Sequence, residues 1–574
     1  MAITDPRKSL EHLEIKNFAG IRSTDRITSE GAAEMRNFRL LPDGSIQKRC
    51  GYRRWFSTSA PLRGTWEGVI DGETYFFAVG GDTVYCITSK DSDPTPAAFL
   101  ASSEGAVSFV YYCDRLYLLD GAELYRFFPS IVSFSVAEGY TPLYGKNWHP
   151  TELGPVHEPL NAIQNRIRLH YINSTGGTVF RLPFTMKKIN SVKVGSAYIT
   201  NYFFNTTAMT VEIPNASAGG TVEISATLDD LFSRRKNVLR SNQAIVYRDA
   251  HHETFLCGGG SPGYLIYRSQ HVTSDMLAGS TAVFGSSDAL YIPVNNTFSV
   301  GSIQHPITAL IQHGEQVLVM NDQNLWAIRH LAEESDDMRI YLLRTDVGCS
   351  SRRAITMACG DPIVVTERGV YRIRFPSRDP DEAIPERLSE AVTERMTPSL
   401  LRNAILYQRS STGELWMKDP FDAAAPVMIY SPALDYWTEF DGITATHFFE
   451  YAGQIGFATA DGTIYLMDEA LDTDNGKEIE ARYVSHYLSF SHPAFQKRSL
   501  RAYLGAYSHG GEIRITLESE NNVHSRLFYG QDRDAPEFFD LRATVGRFRF
   551  LRFSISATGN ARTRIHFLSI AANN

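Results

Sequence analysis

Few residues in this sequence combine the types and spacing that chemistry needs. The densest ligand-like cluster is His251-His252-Glu253. Consecutive side chains on a strand point to opposite faces, so the two histidines cannot share one metal ion, and the run reads as a surface loop. Carboxylates gather at Asp379, Asp381, Glu382 and Glu386. A calcium loop needs a regular alternation of ligands with Gly at the turn, and that is missing. A solvated helix start, where acidic side chains are favoured, fits them better. The basic run Ser233-Arg234-Arg235-Lys236 has the charge to meet phosphate, but it also suits a solvated loop. Cys50, Cys86, Cys113, Cys257, Cys349 and Cys359 form no CxxC pair, which leaves zinc ribbons and thioredoxin-type redox chemistry without support. Reduced, mostly buried thiols are the expectation. Neither a P-loop nor an HExxH pair occurs. The sequence predicts no catalytic residue, no cofactor and no metal: a protein that is not an enzyme.

Composition bounds the alternatives. The 574 residues are 43% hydrophobic and 21% charged, ordinary values for a globular chain. No run of about 18 apolar residues is present, so no membrane-spanning segment is expected. The N-terminus lacks the apolar run of a secretory signal. The net charge of −8 argues against a protein whose main task is gripping nucleic acid. That charge is unevenly spread. Residues 477–574 hold 14 Lys and Arg against 9 Asp and Glu, a surplus of five, so residues 1–476 carry −13. The arginine-rich, aromatic C-terminal segment suits either a docking surface or a solvated sheet face.

The elements that would position any site are short strands. Helical periodicity is scarce, and residues 385–396 are the best helix candidate. Elsewhere, runs of four to eight residues rich in Val, Ile, Tyr, Phe and Trp are bounded by Gly, Asp and Asn. A motif recurs: a turn residue, a variable residue, an apolar residue, then Tyr or Trp. Its aromatic positions are Tyr85, Tyr125, Trp326, Tyr371, Trp416 and Tyr465, separated by 40, 201, 45, 45 and 49 residues. A variant, Gly263-Tyr264-Leu265-Ile266-Tyr267, falls in the long gap. Periods of about 40–50 residues match one four-stranded propeller blade. One blade reads strand by strand, at 403–407, 414–418, 426–430 and 436–440. The expected fold class is all-β: a six- or seven-bladed β-propeller with an inserted β-rich domain and a C-terminal β-sandwich. Its parts are an N-terminal arm or hairpin closing the propeller (1–55), blades (56–143), the insertion (144–235), further blades (236–470) and the C-terminal sandwich (471–574). Segment 477–574 alternates as Glu512-Ile513-Arg514-Ile515-Thr516-Leu517, which predicts antiparallel sheet with one arginine-lined face.

The first 55 residues carry the most specific signal. They include Phe18-Ala19-Gly20-Ile21 and then Asn37, Phe38, Pro42, Gly44, Lys48, Arg49 and Gly51 within Met35-to-Arg53. This pattern resembles the opening of bacteriophage tail-tube and tail-nozzle proteins, F-x-G-I followed by N-[FV]-x3-P-x-G-[ST]-[IL]-x-K-R-x-G-[YW]. Val347-Gly348-Cys349-Ser350, Glu367-Arg368-Gly369-Val370-Tyr371 and Leu388-Ser389 extend the resemblance into the propeller, to about two-thirds of the chain. Cys50 stands where such proteins usually have Pro. The resemblance implies a structural virion protein, located in the tail and assembled in the host cytoplasm. It implies a homo-oligomer, a sixfold ring or hexamer, through which the genome passes at DNA ejection. Its implied partners are further copies of itself, a portal, adaptor or other head–tail connector protein, and tail fibre or spike proteins. Contact with genomic DNA would be transient and non-specific. The competing reading is a glycan-binding or glycan-cleaving propeller adhesin; the repeated S-x-D-x-G-x-T-W turns of sialidase-type propellers are not found. Residue chemistry adds that Pro42-Asp43-Gly44-Ser45 is a turn joining strands at 37–41 and 46–49. That hairpin is expected to complete the last blade, or else to run free along a neighbouring subunit.

Overall fold

The computed structural model describes residues 10–573 except 23–30, 90–92, 230–231, 250–252, 285–287, 332–336, 377–380, 491–495, 532–536, 542–544 and 560. The chain is an all-β propeller. Among the described residues there are five four-stranded antiparallel sheets, each running in chain order, and two further blade-like sets of strands that belong to larger sheets. Two compact units divide the chain, residues 63–348 and residues 1–62 with 349–574.

The first unit holds sheets at 62–99, 108–136, 243–299 and 309–344. Their second strands are mostly buried, Gln316–Met320 along its whole length, because neighbouring sheets cover both faces. Their first strands lie side by side, that of 108–112 against that of 243–248 and the latter against 309–313. The apolar faces meet in pairs. Phe77, Val84 and Leu118 fill the space between the first two sheets, and Leu256, Ile266, Val317 and Ile328 the space between the last two. No sheet buries its own faces alone, which is why such sheets occur stacked. In four sheets of the molecule, a two-residue turn with positive φ at both positions joins strands one and two: Asp71-Gly72, Cys113-Asp114, Cys359-Gly360 and Ala452-Gly453. Turns of that hand match the right-handed twist of the paired strands.

Residues 143–228 form the inserted domain, between the second and third sheets. A five-stranded sheet faces a three-stranded one, Val179–Arg181, Thr210–Glu212 and Phe203–Asn205. Tyr171, Phe180, Val192, Val211 and Ile224 fill the core between them.

The other unit holds sheets at 355–387 and 405–440 and a third at 447–468. This third sheet has only three strands of its own. Gly51–Ser57 supplies the fourth, antiparallel to Thr463–Asp468. The strand that completes the last blade is therefore the one after the expected hairpin. The hairpin itself forms, with strands Phe38–Leu40 and Ile46–Lys48, but it pairs with the C-terminal strand Thr563–Asn573. Hairpin and closing strand are consecutive, and the chain reverses partners between them at Arg49 and Cys50. The C-terminal sandwich is also less separate than its composition suggests. Ala32–Arg36 lies between Tyr436–Phe440 and Ala481–Ser485, so a blade and the sandwich share one nine-stranded sheet.

Residues 385–396 differ from expectation. Ile384–Arg387 is the fourth strand of its sheet, and only Glu390–Arg395 is helical, as a 3-10 turn. The glutamates at i, i+4 spacing satisfied a helical pattern, but pairing with Gly369–Arg374 claimed the first of them. The blade read strand by strand has its strands at Ile405–Gln408, Leu415–Lys418, Val427–Ser431 and Tyr436–Phe440.

Candidate functional site

The motif residues of the N-terminus converge on one buried polar joint. Asn37 takes the left-handed conformation, φ +55°, which Asn tolerates better than most side chains. Its backbone N–H donates to the Glu439 carbonyl at 2.8 Å. Its side-chain amide donates to the Glu480 carbonyl at 2.7 Å and to the Asp441 carboxylate. Its Oδ1 accepts from Arg49 Nε at 2.8 Å and from the Asp441 backbone N–H at 3.1 Å. Arg49 is 1% exposed. Its guanidinium forks onto Asp474, at 2.8 and 2.6 Å. It also donates to the carbonyls of Cys50 and Asp441, at 2.9 and 2.8 Å. Every N–H of that fork thus has an acceptor, the condition for burying a charge. Burial pushes the Asp474 carboxyl above its ordinary range, and Arg49 opposes the shift.

The remaining motif positions serve the same joint. The Lys48 ammonium donates to the carbonyls of Gly559 and Ala561, at 2.6 and 3.3 Å. At Gly51 a Cβ would lie 1.9 Å from the Thr473 carbonyl oxygen, so no other residue fits there without moving the backbone. Gly44 has φ +81° in the hairpin turn, where Asp43 accepts from both the N–H and the hydroxyl of Ser45. Pro42 opens that turn, and Phe38 is fully buried. Asp441 and Asp474 were not legible from the sequence. Each merely precedes a turn, and nothing links either to a residue some 400 positions earlier.

A second network lies beside it. Arg39 and Arg409 both face Glu414 and Glu469, and the fully buried Trp416 donates to Glu414 at 3.4 Å. Trp416 sits on the second strand of its sheet. Tyr85, Tyr125, Trp326, Tyr371 and Tyr465 all sit on third strands. The repeat thus marks one position in five sheets and a different one in the sixth.

The chemistry-capable clusters disperse. His251, His252 and Asp379 lie outside the described residues. Glu253 accepts from Arg248 and from the Cys113 N–H. Glu386 pairs with Arg374 at 2.9 Å. Arg235 is held by Glu123 and the Ile163 carbonyl rather than free for phosphate. Among the described residues no three His, Cys, Asp or Glu side chains group to hold a metal ion, and all six cysteines are free thiols. Residues 258–263 read Gly-Gly-Gly-Ser-Pro-Gly, a spacing that fits both G-x-G-x-x-G and G-x-S-x-G. Both fingerprints require a strand followed by a helix. Here the stretch turns from Glu253–Gly258 into the antiparallel strand Leu265–Arg268. Neither chemistry is supported.

What fold and joint define is a propeller whose first 57 residues fasten a blade, a shared sheet and a sandwich together. No family model matches the chain, and no curated protein matches it in sequence. Among solved structures it is similar to the AfRom2 CNH domain, at 8% identity and a TM-score of 0.35, over 74% of this chain and 99% of that one. It is also similar to a chain of a mitotic checkpoint complex, at 7% identity and 0.32, over 72% and 96%. A third is a chain of BBS1N in complex with ARL6DN, at 8% and 0.25, over 74% and 98%. No helix among the described residues is long and apolar enough to cross a membrane, which says nothing of strand-built barrels.

Proposed function

We propose that this chain is a structural protein of a bacteriophage tail, a component of the nozzle or tube that assembles as a sixfold ring around the passing genome. The observation that carries the reading is the use made of the motif. The residues by which the sequence resembles tail-nozzle proteins are the ones with no structural substitute: Asn37 in a left-handed turn, Arg49 forked onto Asp474, Gly51 against the Thr473 carbonyl. A match at positions so constrained is harder to reach by chance composition than one at exposed positions. The charge balance is compatible, since a lining near the −13 of residues 1–476 repels phosphates and lets DNA slide. On this reading the arginine-rich C-terminal segment docks to a connector, fibre or spike protein. The test is electron microscopy of the purified chain and of virions carrying it with a label. Sixfold rings at the tail, with weak duplex binding at physiological salt, are the expected result. A stable monomer in intact virions, or nanomolar duplex binding by the ring, defeats the proposal.

A further inference from the structure

The inserted domain carries an outward face that its own fold does not use. In the three-stranded sheet, register sets Val179 opposite Glu212 and Glu212 opposite Phe203. The row two residues along is Arg181, Thr210 and Asn205. The row between, Phe180, Val211 and Phe204, points the other way, into the domain core. The outer rows border a concave space of about 400 Å³, lined by Val179, Phe203, Asn205, Thr206, Thr210 and Glu212 among others. Such a volume lies within the range of small-molecule sites. Phe203 is 63% exposed, a ring left in water.

We infer that this face is a binding site for a neutral hexopyranose, free or at the end of a glycan. Three observations select that chemistry. First, the face by itself is too small for a protein partner. Three strands of three residues cover about 10 Å by 10 Å, taking about 3.3 Å per residue and about 4.8 Å between strands. A stable protein interface needs about 800 Å² per side. Second, the polar groups are mixed and aimed. Asn205 Oδ1 accepts from the N–H groups of Thr207 and Ala208, at 3.0 and 2.9 Å. This fixes the amide, and its Nδ2 donates to no described residue. Thr206, Thr210 and Glu212 line the same space. Donors and acceptors round a ring suit a polyol with one apolar C–H face, which the negative face of the phenyl attracts. Third, Glu212 sits in the centre of its row, beside Phe203, and lines the space, whereas Arg181, at the edge of the next row, does not; the charge a ligand meets there is the carboxylate, which repels phosphate. A nucleotide or a single strand of nucleic acid, which would also stack on the ring, is disfavoured.

The inference stands apart from the tail reading and fails or survives without it. It is tested on the full chain by saturation-transfer NMR with methyl α-D-glucoside, methyl β-D-galactoside and N-acetylglucosamine. At least one should show transfer to its ring protons, with an affinity of about 1 mM, ordinary for so small a ligand. The variant Phe203→Ala, at a side chain outside the core, should lose at least tenfold in affinity with an unchanged melting temperature. Phe421→Ala, at an exposed ring in the other unit, should lose nothing. Absence of transfer to all three sugars overturns the inference. So does equal transfer in Phe203→Ala, and so does displacement of the sugar by inorganic phosphate.

Discussion

Replacing Arg49 with methionine keeps the length and apolar stem of the side chain but removes five hydrogen bonds from the joint. Two ran to Asp474, at 2.8 and 2.6 Å, and the others to Asn37, Cys50 and Asp441. The Asp474 carboxylate, 7% exposed, is left without its counter-charge. Breaking a buried pair from one side costs about 3–5 kcal/mol. At about 2–4 °C per kcal/mol, the melting transition of the unit that contains residue 49 should fall by about 10 °C. Differential scanning calorimetry reads this directly. Arg49→Lys keeps the charge without the fork and should lie between the two. Arg49→Met combined with Asp474→Leu should recover most of the loss, because the stranded charge goes with its partner. Burial already raises the Asp474 carboxyl, and in Arg49→Met only the weaker pull of Lys477 still opposes it. Its folded pKa then lies further above the unfolded one, folding takes up a proton, and the variant's deficit shrinks as pH falls toward 4. A loss below about 1 kcal/mol, or a deficit that does not depend on Asp474, refutes the assignment of this pair as the joint's anchor.

Gly51→Ala should prevent the closing strand from seating, since its Cβ would meet the Thr473 carbonyl at 1.9 Å; soluble yield and thermal melting report it, with a cost above about 3 kcal/mol. Deleting residues 1–57 uncovers Thr463–Asp468 as an unpaired edge, and the product should aggregate where the full chain stays dispersed in light scattering. His447 is partly buried beside Arg353 and Arg352, and desolvation foremost lowers its pKa to about 3. The unfolded chain, with an ordinary histidine near 6.5, binds a proton that the folded one refuses. Stability should therefore fall as pH drops from about 6.5 toward 3, by at most about 1.4 kcal/mol per unit. His447→Gln should flatten that part of a denaturant-midpoint profile, and an unchanged slope counts against the account.

Local pattern and long-range pairing were legible to different degrees. The strands of 405–440 could be read to within two residues, because each is short, β-branched or aromatic, and bounded by a turn. The insertion showed as a break in the repeat. The helix at 385–396 misled because its glutamate spacing carries no information about the strand that needed a fourth partner. The hairpin at 38–48 was visible, but its partner, Thr563–Asn573, was not, since the two lie at opposite ends of the chain. The same holds for the site. Asn37, Lys48, Arg49 and Gly51 stood out by type and spacing, while Asp441 and Asp474 supply the opposing charge from ordinary-looking turns. The outward face of the inserted domain left no sequence signal, because an exposed Phe203 reads like any strand phenylalanine.

Leu10–Ile15 pairs along its whole length with the last strand, Leu10 opposite Asn573 and Ile15 opposite Leu568. During synthesis that strand emerges about 550 residues before its partner. At about 5–20 residues per second, the interval is about 30–110 s. For that time Leu10–Ile15 has no mate, and for most of it neither have Ala32–Arg36 and Gly51–Ser57, while residues 63–348 are free to fold as they appear. The joint at Arg49 forms only after Asp441 and Asp474 have been made, and the outer sheet only after residues 563–573. A ribosome that stalls or terminates early thus yields a chain that holds finished blades yet no fastening, with bare strands at its leading end for chaperones and proteases to recognise. The topology restricts the completed unit to chains that extend through residues 563–573.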